Sequence, residues 1–313
     1  MQTRWAGRQF HNQPEASHTH GFLVDLWDEV RAATGGALAV AVHAQNAGAT
    51  GSDPAALRML VAGELEFMTL MGGVLGQVVP AAEIQGLPFA FGSHAQVHAA
   101  MRGPLGEYLR REMAANGIHG FRDGVLENGF RHIVSIDRPV RHAADLAGYR
   151  MRIPDGRMFE DVFRTLGATP VVVNIRDLYG ALRERRVDGQ ENPLAVVEVN
   201  RLYEVTRYVS LTGHMWSGFN LIGNLAFWRR LPEDVQEIVK RAVATHVERQ
   251  RVYTDAFNRG LETRLASERG MVFNVADGAS FRAALSGDFY RRWRRDLGEG
   301  AWRLLEDAVG KEL

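Results

Sequence analysis

The chain contains no cysteine, which excludes thiolate nucleophiles, cysteine-ligated zinc, iron–sulfur clusters and disulfides. Lysine is nearly absent: Lys240 and Lys311 stand alone, and arginine supplies the remaining basic side chains. There is no surplus of either charge, with 37 basic against 37 acidic residues. That balance removes the electrostatic footprint of a nucleic-acid binder or of a protein held on anionic lipid, so no nucleic-acid partner is expected. No stretch approaches the roughly 20 apolar residues that span a bilayer, so no membrane insertion is expected either. The opening MQTRWAG lacks the charged, apolar and small-residue regions of a secretory signal, so an exported protein would appear here in processed form. Flexible Gly/Ser tethers, low-complexity tracts and fixed-period repeats are also missing, so two lobes would have to be joined by crossing strands.

What is present is ordinary globular composition, 46% hydrophobic and 24% charged over 313 residues, enough for two domains of moderate size. Phe22, Leu23, Leu26, Trp27 and Val30 share one helical face within 21–34, and Gly35-Gly36 supplies a stop where positive φ costs little. A strand at 38–43 follows, then a Gly-rich turn from Asn46 to Ser52. Asp53-Pro54 reads as an N-cap with proline at the first helical position. The next helix stops at Gly63, and 65–71 reads as a buried strand. A helical stretch at 93–116 is interrupted by Gly103-Pro104, which breaks or kinks it. Strands at 130–136, 150–153 and 171–175 alternate with helices at 157–166 and 178–185, an α/β pattern. Beyond Leu231-Pro232 a helical pattern runs to about Glu268 with only Gly260 against it, longer than the usual globular helix and long enough to serve both lobes.

Three segments carry a recognisable order and spacing: DLAGYRMRIP (Asp145 to Pro154), FRTLGATPV (Phe163 to Val171) and DLYGALRERRVDGQENP (Asp177 to Pro193). With TGGALAVAVH, LVAGELEFMTLM, LPFAF and TGHMWSGFNLIGNLAFWRRLPEDVQ, they make the chain resemble the DctP-type solute-binding subunits of TRAP (tripartite ATP-independent periplasmic) transporters. The resemblance spans essentially the whole chain. It implies a two-lobed type II periplasmic-binding fold with crossing hinge strands, one lobe from 1–128 plus 216–256 and the other from 129–215 plus 257–313. It also implies a periplasmic protein that captures a small organic acid between its lobes and delivers it to membrane permease subunits. No cofactor and no catalytic residue are expected.

In that family the arginine of the R-x-R-[IV]-P segment pairs with the ligand carboxylate, and Arg152 matches it. An arginine fork gives two parallel charge-assisted bonds to one carboxylate and stays charged when enclosed. A structural ion pair with Asp155 or Glu160 is the competing reading. Asn192 matches the asparagine of the E-N-P segment, whose amide can donate to the same carboxylate, although Asn before Pro193 also suits a turn. Arg131 falls where many members place a second ligand-facing arginine, and it is equally compatible with a surface charge. Strand ends facing a cleft add His11, Asn12 and Gln13, then Met71 and Gly72, then Glu127 and Asn128. Trp216, beside His214, is positioned either to stack on a ligand or to pack at the hinge; Phe89 reads as core or as a pocket wall. Met71 and Val74 stand where relatives similar to sialic-acid binders carry charges, which argues against that ligand. A carboxylate anchor among His, Asn, Gln and Glu suits a hydroxylated acid such as a uronate or other sugar acid; an aromatic or branched 2-oxo or 2-hydroxy acid ranks second.

Two other classes compete. A hydrolase has one suggestive cluster, His18-Thr19-His20, but GxSxG, GxGxxG, P-loop and HExxH motifs are absent. A ligand-sensing domain that reports to a receptor would use the same fold, and sequence does not separate it from a transport receptor.

Overall fold

The computed structural model describes residues 4–49 and 51–313, so Met1–Thr3 of the opening segment and Thr50 of the Gly-rich turn lie outside the described residues. In chain order the elements begin with β1 (Trp5–Phe10), α1 (His18–Ala33), β2 (Leu38–His43), α2 (Asp53–Ala62), β3 (Phe67–Met71) and the short α3 (Gly72–Leu75). They continue through α4 (His94–Arg102), α5 (Pro104–Ala115), β4 (Ile118–Ser135), β5 (Arg150–Ile153), α6 (Arg157–Thr165), β6 (Thr169–Val172), α7 (Ile175–Arg183), β7 (Gly189–Asn192) and α8 (Leu194–Val199). The last are β8 (Tyr208–Asn224), α9 (Leu225–Arg230), α10 (Glu233–Arg269), β9 (Val272–Val275), α11 (Gly278–Leu285), α12 (Asp288–Leu297) and α13 (Glu299–Val309).

Local chemistry explains most of these boundaries. Ser17 caps α1 by accepting from the His20 N–H, and the helix buries Leu23, Leu26, Trp27 and Val30, each contributing about 1.5–3 kcal/mol. Gly35 and Gly36 then take φ of 59° and 82°. At α2 the cap is Ser52, not Asp53 as the sequence suggests. The Asp53 carboxylate is instead occupied by the side-chain amides of Asn12 and Asn46, at 2.8 and 2.7 Å. Pro104 separates α4 from α5, with Gly103 at the break.

The chain forms two compact units: Met1–Met71, Met101–Glu127 and Gly218–Tyr253 in the first, Gly72–Ala100, Asn128–Ser217 and Thr254–Leu313 in the second. Three of the five boundaries fall inside β4, inside β8 and inside the 37-residue α10; the others lie between β3 and α3 and near the end of α4. In the first unit β1 lies between β2 and β3, parallel to both, and β3 pairs antiparallel with the Gly218–Asn224 end of β8. In the second, β4 pairs antiparallel with β7, and β5 lies between β7 and β6, parallel to both. Its core gathers Val134, Leu178, Leu182, Val187, Leu202, Val209, Leu261 and Leu265.

The expected lobe boundaries differ from these units chiefly at Gly72–Ala100, which sequence places in the first lobe and the structure groups with the second unit. Packing explains the difference. The Phe159 ring fills the space a Cβ on Gly73 would take, 2.5 Å away. The buried Glu83 carboxylate accepts from the Met158 N–H at 3.1 Å and the Arg157 Nε at 3.0 Å, holding the start of α6. Tyr290 donates to the Pro88 carbonyl at 2.9 Å.

Candidate functional site

The second unit contains a buried polar centre built on β7, whose sequence is GQEN. Alternation along a strand puts Gln190 and Asn192 on one face and Glu191 on the other. Glu191 and Arg131 are both fully buried. Arg131 donates from Nε to Oε2 of Glu191 and from Nη2 to Oε1 at 2.7 Å, a bidentate pairing, and Nη2 also donates to the Glu191 carbonyl. The same guanidinium donates to the Asn192 side-chain carbonyl and, from Nη1, to the Ser217 hydroxyl, both at 3.2 Å. The Phe159 ring lies 5.1 Å from the guanidinium carbon, adding a cation–π contact.

His214 Nε2 lies 3.4 Å from the Glu191 carboxylate, and its Nδ1 shares a 2.8 Å hydrogen bond with Thr212. Burial by itself would raise the Glu191 carboxyl, but the Arg131 charge and hydrogen bonds, with His214 close by, outweigh it and hold the group below the usual carboxylate range. Arg131 is therefore not a surface charge. Its donors hold Glu191, orient Asn192 and tie β4 to β7.

Arg152 sits on β5 with its Cα in register with Gln190 of β7 on one side and Val171 of β6 on the other. It is 2% exposed, and its Nε donates to the Val173 carbonyl at 2.8 Å, which fixes the plane of the guanidinium fork. Of the two acidic residues offered as structural partners, Glu160 pairs with Arg164 one helical turn along α6. Cα partners on adjacent parallel strands project their side chains to the same face, so Arg152, Gln190 and Asn192 share one.

The other candidates in this unit are also buried. A Cβ on Gly72 would stand 2.5 Å from the Ala82 carbonyl oxygen, so only glycine fits there. Asn128 donates to the Ser217 hydroxyl at 3.2 Å. Trp216 is buried, and its ring meets the His98 ring edge-on. Phe89 is half-buried with φ of 54°, and the Arg282 guanidinium lies over its ring.

In the first unit His11, Asn12 and Gln13 follow the carboxyl end of β1. Gln13 donates to Asn12, and Asn12 to Asp53, a relay that pins this strand end to the start of α2. His11 Nε2 and His20 Nδ1 share a hydrogen bond of 2.9 Å. Burial, and then the nearby His20 and His43, push the His11 pKa down to about 3, so the ring is neutral at ordinary pH. Met71 ends β3 opposite Phe219 of β8. The Glu127 main chain is held by one side chain of α10: its N–H donates to Gln250 Oε1 at 2.9 Å, and its carbonyl accepts from Gln250 Nε2 at 2.7 Å. Among the described residues no group of three or more His, Asp or Glu side chains is placed to hold a metal ion.

The profile of bacterial extracellular solute-binding proteins of family 7, DctP, matches residues 10–295. The chain belongs to this family. Among the relatives of this DctP-family protein is the solute-binding protein RD1_1052 of Roseobacter denitrificans, 30% identical over 88% of this chain and 82% of its own. A crystal structure of RD1_1052 with bound L-galactonate covers 98% of this chain and 99% of that one, with a TM-score of 0.88 and 26% identity. A TRAP periplasmic solute-binding protein from Polaromonas sp. JS666, bound to D-erythronate, matches over 100% of both chains with a TM-score of 0.90 and 27% identity. The uncharacterised protein y4mM of Sinorhizobium fredii is 35% identical over 68% of this chain, which spans 39% of that protein's length. The fold is thus the two-lobed type II periplasmic-binding fold of TRAP solute-binding proteins, and the family consists of binding proteins, not enzymes. No described helix is long and apolar enough to cross a membrane.

Sequence reasoning reached Arg152, Asn192 and Arg131 but not Glu191, Gln190, Ser217 or Phe159. Glu191 lies inside the quoted DGQENP block, and the signal available was its place between two polar neighbours on a strand. A buried carboxylate there needs a cation, and Arg131 supplies it while also donating to Asn192.

Proposed function

We propose that this protein is the periplasmic receptor of a TRAP transporter for a hydroxylated monocarboxylate, a sugar acid such as a uronate or an aldonate, which it captures between its lobes and hands to membrane permease subunits. The observation that carries the reading is the shared face of β5 and β7, where the buried Arg152 fork stands in register beside two buried carboxamides, Gln190 and Asn192. Arginine presents a planar pair of donors to a carboxylate, and amides both donate to and accept from hydroxyls. The ligands of the two relatives, D-erythronate and L-galactonate, combine these groups. Arg131 serves from behind, holding Asn192 and Glu191, and closure depends on the solute's differential affinity for the closed state. The ends of β1 and β3, with His11, Asn12, Gln13 and Met71, supply first-lobe selectivity, and Gly72, Glu127, Asn128, His214 and Trp216 frame the rest.

A thermal-shift screen of uronates, aldonates, 2-oxo acids, dicarboxylates and neutral sugars tests this. A ligand at about 100 times its Kd stabilises the folded state by about 2.7 kcal/mol. Hydroxylated acids are expected to shift the midpoint. Arg152→Lys, which keeps the charge but loses the fork, is expected to weaken binding about tenfold to a hundredfold. An unchanged Kd would remove Arg152 from the site, and stabilisation by neutral sugars alone would end the acid reading.

A further inference from the structure

Gln190 is fully buried, yet half of its side chain has nothing to bond. Its Oε1 accepts from Asn192 Nδ2, while its Nε2 is enclosed with no hydrogen-bond partner among the described residues. The orientation of both amides follows from Arg131. A guanidinium only donates, so the Asn192 atom facing Arg131 Nη2 must be its oxygen, which turns the Asn192 NH2 toward Gln190. The Gln190 atom facing that NH2 must in turn be its own oxygen. The result is a relay of one polarity, Arg131 to Asn192 to Gln190, and it ends on an NH2 group. A reversed Gln190 amide would set two NH2 groups against each other.

An enclosed donor without an acceptor is destabilising, and a relay of aligned amides strengthens the pull of its last member on an oxygen. Gln190 also stands in Cα register with Arg152 on the adjacent strand, on the same face. We propose that Gln190 Nε2 donates to the solute oxygen on the carbon next to the carboxylate, so that Gln190 selects 2-oxygenated acids against their 2-deoxy counterparts. This rests on the reading that Arg152 holds the carboxylate. The α-oxygen of a sugar acid adjoins the carboxylate, and the donor beside the arginine fork suits it. Gln190 is then a specificity-determining residue.

The test is calorimetric titration of the wild-type protein, Gln190→Met and Gln190→Glu with two matched pairs: D-erythronate against 3,4-dihydroxybutanoate, and D-gluconate against 2-deoxy-D-gluconate. For whichever pair binds, the wild type is expected to favour the 2-hydroxy acid by about tenfold or more. In Gln190→Met the preference is expected to collapse toward parity, through loss of affinity for the 2-hydroxy acid alone. Gln190→Glu keeps the side-chain shape and an acceptor toward Asn192; its ionised carboxylate has no donor and repels both acids alike, so overall affinity should fall while the ratio between the paired acids moves to parity, and that ratio serves if the methionine variant does not fold. A preference that survives in the variants overturns the inference. So does equal weakening of both acids in Gln190→Met, because that would mean Gln190 acts only by positioning Asn192. If no hydroxylated acid binds the wild type, the sugar-acid reading falls and this inference with it; if the acids bind and Arg152→Lys leaves them unaffected, the assignment of the carboxylate falls first.

Discussion

Replacing Glu191 by alanine should be among the most damaging single changes this protein can suffer. Arg131 is fully buried and directs three donor contacts at Glu191, two to the carboxylate and one to the carbonyl. Truncation removes the carboxylate paired bidentately with that guanidinium and leaves a cation enclosed against Phe159, Ser217 and Asn192. Breaking a buried pair from one side costs about 3–5 kcal/mol, because the remaining charge is uncompensated. At a urea dependence of about 2–3 kcal/mol per molar, the unfolding midpoint should fall by roughly 1–2 M. The paired variant carrying both Arg131→Met and Glu191→Leu removes the charge along with its partner. Buried pairs exchanged for apolar residues of similar volume are often neutral in stability, so this variant should unfold within about 1–2 kcal/mol of wild type. It should still bind acids poorly, because Asn192 loses the donor that orients it. Urea titration of the three proteins, with the slope checked for constancy, reads the comparison directly. A Glu191→Ala loss below about 1 kcal/mol, or a paired variant less stable than the single one, would refute the claim that the pair is held by mutual compensation.

Two further expectations concern stability. Burial holds His11 neutral with a pKa down to about 3, and burial together with His214 holds His132 down to about 4. An unfolded histidine titrates near 6.5, so the unfolded chain takes up protons first as pH falls. The contribution of each group is complete above about pH 6.5 and is lost progressively between there and its folded pKa, by about 1.4 kcal/mol per pH unit. Urea midpoints across pH 7.5 to 5.5 should therefore decline, and His11→Asn should flatten the decline by about one proton; an unaltered slope would show that His11 is not buried neutral. Gly72→Ala should cost about 1–3 kcal/mol in thermal unfolding, since its Cβ would meet the Ala82 carbonyl oxygen, while Gly21→Ala, with open space around it in α1, should raise stability by about 0.5–1 kcal/mol. Equal effects at the two glycines would contradict the packing described for α3.

Much of the fold was legible in the sequence because its signals are local. The β2 span is found where the apolar run lies, Gly103-Pro104 separates two helices, and the long pattern after Pro232 is a single helix across Gly260. Local signals failed at Asp53, whose capping chemistry is used by two amides from other segments. The grouping of residues 72–100 with the second unit likewise rests on Phe159, Arg157 and Tyr290 from distant parts of the chain.

The candidate site divides the same way. The R-x-R-I-P and E-N-P segments pointed to Arg152 and Asn192 through their resemblance to the family, while the residues alone left an ion pair and a turn as open readings. Whether Arg131 faced solute or solvent was open, and its pairing with Glu191 was not foreseen, since Glu191 lies 60 residues away and nothing local connects them. Periodicity, caps and turn residues act over a few positions, and so the sequence by itself determined the α/β elements and, through its motifs, the family. Strand register joins segments across tens of residues, and only the tertiary structure decided that Arg131 is matched by Glu191, that Arg152 stands beside Gln190, and that the amide relay ends on a donor with no acceptor.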